Sequence, residues 1–235
     1  MVDAAEPWVL ERENLPAVAM HPAPWQLGGS AWIIILRLPE ALRTAASSQV
    51  VASLRGEGVS GMAFLMYVDY ERADCGPYRE LLFSPGSVRV GGGGRRPTIS
   101  RIVVSSYESV VNGRANWGIP KDQADFAVET QGAHTTISVS HRETPLARLQ
   151  LSAHGPAVPL RAGVLPRSLR TVVQHWAGQE FRIALAGSGH ARFARVHRLE
   201  FPSDYFPDLS TATVVAATQL KDFQMTFPCA DVTSL

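Results

Sequence analysis

Lysine is almost missing from this chain of 235 residues. Its 22 basic side chains are twenty arginines plus Lys121 and Lys221. Any step that needs a side-chain amine therefore has two candidates. Cysteine is as scarce: Cys75 and Cys229 cannot form a disulfide framework or, by themselves, a four-ligand zinc site. The seven histidines, at 21, 134, 141, 154, 175, 190 and 197, include no His-Glu-x-x-His pair, and there is no Cys-x-x-Cys, so no metal site is expected. Surplus charge is lacking too. A net charge of +1 gives no global attraction to nucleic acid or to a membrane surface. With 46% hydrophobic and 18% charged residues, intrinsic disorder is excluded. The strongest early apolar run, residues 31–36, is far shorter than the roughly 20 residues a spanning helix needs. No basic segment leads into an apolar stretch at the start, so the expected location is soluble, intracellular and cytoplasmic.

What is present is β-rich. Residues 1–30 carry Pro7, Pro16, Pro22 and Pro24 and read as an arm over the surface, with Trp8 and Trp25 as anchors, possible ones against another subunit. Residues 31–235 read as one domain. The β-branched and aromatic run at 31–36 favours a buried strand, 38–53 a helix begun at Pro39, and 61–70 a second buried strand. Further strands are expected at 79–83 and 101–111. The glycines at 91–94 between them lack the Gly-Lys-Ser/Thr ending of a phosphate loop and read as a hairpin connection. After residue 125 apolar and polar residues alternate in runs at 126–128, 135–140, 146–151, 181–186, 191–201 and 214–227, the pattern of antiparallel strands with one wet face. Gly-x-Ser-x-Gly is absent, and Ala186-Gly187-Ser188-Gly189-His190 reads as a glycine-rich hairpin.

The segment Asn112-Gly113-Arg114-Ala115-Asn116-Trp117-Gly118-Ile119-Pro120-Lys121 stands apart. Asn112-Gly113 reads as a tight turn, and Gly118 with Pro120 fixes an unusual backbone path just before a lysine. Most lysines are solvated, but Trp117, Ile119, Ala124 and Phe126 put this one beside apolar surface. A lysine amine can condense with a ketone or aldehyde to an iminium, an electron sink for the carbanion left by C–CO₂ or C–C cleavage. Only the neutral amine attacks, so a site using it as a nucleophile must disfavour the ammonium by burial or a neighbouring cation.

Here the chain resembles the acetoacetate decarboxylase-like family. Gly113-Arg114 followed by Ile119-Pro120-Lys121 is similar to that family's Gly-Arg … Pro-Lys segment, whose lysine forms a Schiff base. Gly76-Pro77-Tyr78-Arg79-Glu80 resembles its aromatic-x-Glu strand, whose glutamate faces the same pocket. The two motifs stand in the family's order, about forty residues apart, and the surrounding residues look closest to its fungal members. The resemblance implies a β-rich α+β fold: a partly closed, cone-like antiparallel β-barrel with flanking short helices and a central ligand pocket. It also implies homo-oligomers, a small-molecule carbonyl substrate and no cofactor.

Three departures shape the functional expectation. The family's decarboxylases have a second lysine directly after the first, where this chain has Asp122. An anion there would favour the ammonium if it reached the amine; in an extended segment the two side chains point to opposite faces. The arginine that precedes the first long strand in those enzymes is missing from Gln26-Leu27-Gly28-Gly29-Ser30. A second pocket glutamate is missing from Ala63-Phe64-Leu65-Met66. The expected protein is an enzyme of secondary metabolism acting on a hydrophobic keto or polyketide-like compound. Lys121 and Glu80 are its expected catalytic pair, and Arg114, Trp117, Tyr78, Phe64 and Met66 its substrate-binding candidates, Arg114 being expected equally to hold backbone as a structural residue. Lys121 serves either as a Schiff-base nucleophile (decarboxylase, aldolase or dehydratase) or as an ammonium proton donor (cyclase or isomerase). The alternative is a carrier that binds a lipophilic ligand without chemistry.

Overall fold

The computed structural model describes residues 6–235 apart from 92 and 165. In chain order the elements are β1 (Trp25–Arg37), α1 (Glu40–Ser48), α2 (Ala52–Arg55), β2 (Ala63–Arg72), β3 (Tyr78–Ser84), β4 (Gly86–Arg89), β5 (Arg95–Thr98), β6 (Arg101–Val104), α3 (Tyr107–Trp117) and β7 (Lys121–Gln123). There follow β8 (Asp125–Gln131), β9 (His134–His141), β10 (Thr144–Arg161), α4 (Arg167–Arg170), β11 (Thr171–Trp176), β12 (Gln179–Ala184), β13 (Ala186–Glu200), β14 (Thr213–Phe227) and β15 (Asp231–Ser234).

Ten strands form one sheet in the order β7-β6-β3-β2-β1-β14-β13-β10-β9-β8. Its pairings are antiparallel except that of β6 with β7, at one edge. The two edge strands, β7 and β8, are joined by Ala124 alone, so the sheet must curl until its edges nearly meet. The strand residues dictate which face turns inward. Trp32, Ile34, Leu36, Leu65, Tyr67, Leu81, Phe83, Val103, Ile137, Val139, Leu149 and Leu151 form one buried cluster, with Phe126, Val196 and Ala217 packed on it. A single core drawing on nine strands of one sheet is the filled interior of a barrel. The β-rich, nearly closed barrel with short helices agrees with the expected fold.

The opposite face of β1, β2, β3 and β6 carries a second cluster: Trp25, Leu27, Val68, Tyr70, Tyr78, Leu82, Ile102, Val104, Val110, Trp117 and Ile119. Helix α3 and the small sheet β11-β12-β15 pack against that side, through Val110 and Trp117 of the helix and Ile183 of β12.

Five sequence expectations change. β1 begins at Trp25, inside the segment read as an arm. The helix expected at 38–53 is split into α1 and α2. The strand expected at 101–111 stops at Val104, and α3 begins at Tyr107 because the Ser106 hydroxyl accepts from the Ser109 N–H at 3.2 Å and caps it. Asn112 and Gly113, read as a turn, are therefore helical. The 186–190 stretch is the start of β13, where a Cβ on Gly187 or Gly189 would collide with β14. The β4–β5 hairpin brackets the glycine-rich loop as expected, with Gly92 outside the described residues.

The arm is anchored within its own chain. Trp25 is buried, its ring centroid 4.8 Å from that of Trp117, which removes it as a contact for another subunit. Trp8 is half-exposed beside Tyr205 and the Arg101 guanidinium.

Candidate active site

Two elements bring the site together. β7 pairs in parallel with β6, Lys121 beside Ile102 and Asp122 beside Val103. Ile102 belongs to the outer cluster and Val103 to the barrel core, so strand alternation sends the two side chains to opposite faces. α3 then lies over the outer face. Ser109 and Gly113, four residues apart, share the side of the helix that meets Lys121. The helix ends where Gly118 adopts a left-handed conformation (φ 61°), its N–H returning to the carbonyls of Arg114 and Gly113. A Cβ on Gly118 would also lie 2.5 Å from the Phe181 ring. A glycine stands at 113 for another reason: a Cβ there would lie 2.7 Å from Cδ of Lys121.

Lys121 is 3% exposed and Glu80 4%. The amine Nζ lies 2.9 Å from Glu80 Oε2, 3.0 Å from Ser109 Oγ and 3.4 Å from the Tyr78 hydroxyl. Three N–H groups of an ammonium thus face three oxygens, from β3 on one side and α3 on the other. Tyr70 donates to Glu80 Oε1 at 3.5 Å. Burial, reinforced by the Glu80 charge, pushes both Tyr70 and Tyr78 well above the usual phenol range, so both hydroxyls keep their protons.

Asp122, on the other face, is fully buried and fully partnered. Its Oδ1 accepts from the Leu10 N–H at 2.9 Å, the Glu11 N–H at 3.3 Å and Arg114 Nη2 at 3.1 Å; its Oδ2 accepts from the Tyr205 hydroxyl at 3.0 Å. Burial pushes its carboxyl up, and the two backbone N–H groups, Arg114 and Tyr205 oppose that shift. Arg114 also donates through Nε to the Lys121 carbonyl at 2.9 Å. The guanidinium therefore clamps the lysine's backbone to its neighbour's carboxylate.

Of the residues singled out from sequence, Lys121, Glu80 and Tyr78 come together. Phe64 and Met66 lie on the same face of the sheet: Met66 pairs with Leu82, Leu82 with Ile102 and Ile102 with Lys121. Both are half-buried, Met66 three strand spacings, about 14 Å, from the lysine. Arg114 and Trp117 are placed elsewhere. Arg114 is spent on Asp122 and the backbone, and Trp117 is packed between Trp25 and Phe227 with its indole N–H on the Pro228 carbonyl at 2.7 Å. Ser109 and Tyr70 were not anticipated. The signal for Ser109 was its spacing of four from Gly113, visible once the segment is read as a helix; for Tyr70, its place opposite Tyr78 in the β2–β3 pairing.

The acetoacetate decarboxylase (ADC) family model matches residues 38–214. Among curated proteins nothing matches. Solved structures agree on the fold. An acetoacetate decarboxylase from Legionella pneumophila superposes with a TM-score of 0.71 at 15% identity, over 96% of this chain and 93% of that one. An acetoacetate decarboxylase-like enzyme from Sphingomonas wittichii RW1 gives 0.65 at 16% identity, over 97% and 99%. The enduracididine biosynthesis enzyme MppR, complexed with pyruvate, gives 0.63 at 11% identity, over 91% of each. With both family motifs meeting at one buried amine and the family model spanning most of its length, the chain belongs to the acetoacetate decarboxylase family.

Proposed function

We propose that this protein is a lyase of secondary metabolism that forms a Schiff base through Lys121 with a hydrophobic keto or polyketide-like substrate, and then decarboxylates, cleaves or dehydrates it. The observation that carries this reading is the environment of the amine: a carboxylate at 2.9 Å to take its proton, and the anion Asp122 turned to the other face and neutralised by Arg114. Asp122, the acid directly after the lysine, does not touch the amine, so the one anion in contact with it, Glu80, both favours the ammonium at rest and is placed to take its proton. In this reading Glu80 is the base that frees the amine and the acid that later returns the proton. Tyr78 and Tyr70, held as phenols, orient the lysine and the glutamate.

Half-buried Met66 and Phe64, on the same sheet face as Lys121, support a substrate with a greasy body rather than acetoacetate. A carbonyl substrate is also supported by the neighbour MppR, seen with pyruvate and with the condensation product of pyruvate and imidazole 4-carboxaldehyde. A homo-oligomer belongs to the same proposal. Phe193 is 70% exposed and aligns, through Thr218 and Ile33, with Met66 on this outer face, apolar surface that a second copy would cover. Among the described residues no helix is long and apolar enough to cross a membrane.

The test is turnover of hydrophobic β-keto acids and β-hydroxy ketones by the wild-type protein and by Lys121→Arg. Loss of all turnover in the variant is expected; turnover independent of Lys121 would overturn the reading.

A further inference from the structure

Ser109 is a fully buried hydroxyl 3.0 Å from the Lys121 amine, supplied by α3 where Glu80 is supplied by β3. A serine inside a helix commonly returns its hydroxyl to the carbonyl of the preceding turn. Ser109 does not: its side chain is directed at Nζ, while its backbone N–H is capped by Ser106. The hydroxyl thus serves the amine and the neighbouring Tyr78 phenol rather than the helix. A carboxylate such as Glu80's can only accept protons, whereas a hydroxyl accepts through its lone pairs while donating its own proton. The two partners of the amine are chemically complementary.

Schiff-base formation needs both capabilities. Proton transfer from Lys121 to Glu80 frees the amine, which attacks the carbonyl carbon; a C–N bond forms and the carbonyl electron pair moves onto oxygen. The product carries a positive nitrogen and a negative oxygen on the same carbon. A proton must now pass from that nitrogen to that oxygen, and the direct path is strained. From this geometry we infer that Ser109 is a catalytic residue, the relay for this step: its oxygen accepts the proton from Nζ as its own proton passes to the substrate oxygen, giving a neutral carbinolamine. Protonated Glu80 then delivers its proton to the carbinolamine hydroxyl, the C–O bond breaks, and water leaves. The iminium keeps one N–H, Glu80 is again a carboxylate, and Ser109 is unchanged, so the ammonium's three hydrogens end as one on nitrogen and two in water. The inference rests on the Schiff-base reading and adds a residue to it. Tyr78 lies further from the amine, at 3.4 Å against 3.0 Å, so the relay falls to Ser109.

The experiment follows adduct formation with 4-phenyl-2-butanone, samples being quenched with sodium borohydride at timed intervals and the Lys121 peptide weighed. Ser109→Ala should reach the same labelled fraction as wild type but about 10²-fold more slowly, and Ser109→Thr, which keeps a hydroxyl, should recover most of the rate. On the wild-type protein alone, the rate in mixtures of H₂O and D₂O should curve with deuterium content, as two protons in flight require. Adduct formation by Ser109→Ala at the wild-type rate, or a linear dependence on deuterium content, overturns the relay and leaves the Schiff-base reading standing. Absence of any adduct on wild-type Lys121 overturns that reading, and the relay with it.

Discussion

Lys121 and Asp122 are adjacent in β7, yet their charged groups share no partner: the amine meets Glu80 and Ser109 beneath α3, and the carboxylate meets Arg114 and Tyr205 on the barrel side. The peptide between them is held from α3 by Arg114, which bonds the Lys121 carbonyl and the Asp122 carboxylate together. In the proposed reading one ion pair carries the chemistry, and the neighbouring one fixes its position.

Asp122→Ala tests that division of labour. It would leave the Arg114 guanidinium buried without its counter-charge and release the arm at Leu10 and Glu11, so stability should fall by about 3–5 kcal/mol. Urea denaturation measures this. A loss below about 1 kcal/mol would show that the pair is not structural.

Gly113→Ala should separate stability from activity. Alanine is the better helix former by about 1 kcal/mol, but its methyl would displace the Lys121 side chain, whose Cδ and Cε lie 2.7 and 2.9 Å from the added carbon. Adduct formation should drop at least tenfold while the melting temperature shifts by only a few degrees. Full reactivity would mean that the lysine need not occupy this position.

Glu80→Gln removes the proposed proton acceptor with little change of shape. Trapping of a ketone at Lys121 should slow by roughly 10²-fold or more, with the thermal transition still cooperative. An unaltered trapping rate in folded Glu80→Gln would assign the glutamate a packing role only.

The cysteines provide a check with a pH sign. Burial pushes the Cys75 thiol up to about 11, the nearby Lys121 charge opposing the shift, while Cys229 is exposed. Iodoacetamide at pH 8.5 should alkylate Cys229 and leave Cys75 intact until the protein is denatured. A thiol raised on folding favours the folded state below its ordinary pKa, and that contribution is lost as pH rises through about 11. Equal labelling of the two cysteines in native protein would contradict the burial of Cys75.

Much of the fold was legible because antiparallel strands declare themselves by alternation: β9, β10, β12, β13 and β14 lie where apolar and polar residues take turns. The helix that roofs the site was hidden because Val103, Val104, Val110 and Val111 look like one β-branched run. The capping hydroxyl of Ser106 divides it, and tertiary contacts then hold Asn112 in the helix: its side chain accepts from the His21 N–H at 2.6 Å and donates to the carbonyls of Ala19 and Glu108, both at 2.9 Å. Misreading α3 cost the sequence its view of Ser109. The lysine and glutamate were legible from their motifs, and the opposite orientation of Asp122 from strand alternation alone. The backbone-holding role of Arg114 was among the readings the motif allowed, whereas the placement of Trp117 depends on Trp25 and Pro228, far off in sequence, which no local pattern contains.

The most direct measurement is borohydride reduction in the presence of a hydrophobic ketone, followed by peptide mass analysis. The chain's own composition supplies the control, because Lys221 is the only other lysine and lies outside both motifs. The expected result is one ligand mass on the Lys121 peptide, absent when borohydride is omitted and absent in Lys121→Arg. Labelling of Lys221 in preference to Lys121, or equal labelling of both, would contradict the assignment of Lys121 as the nucleophile.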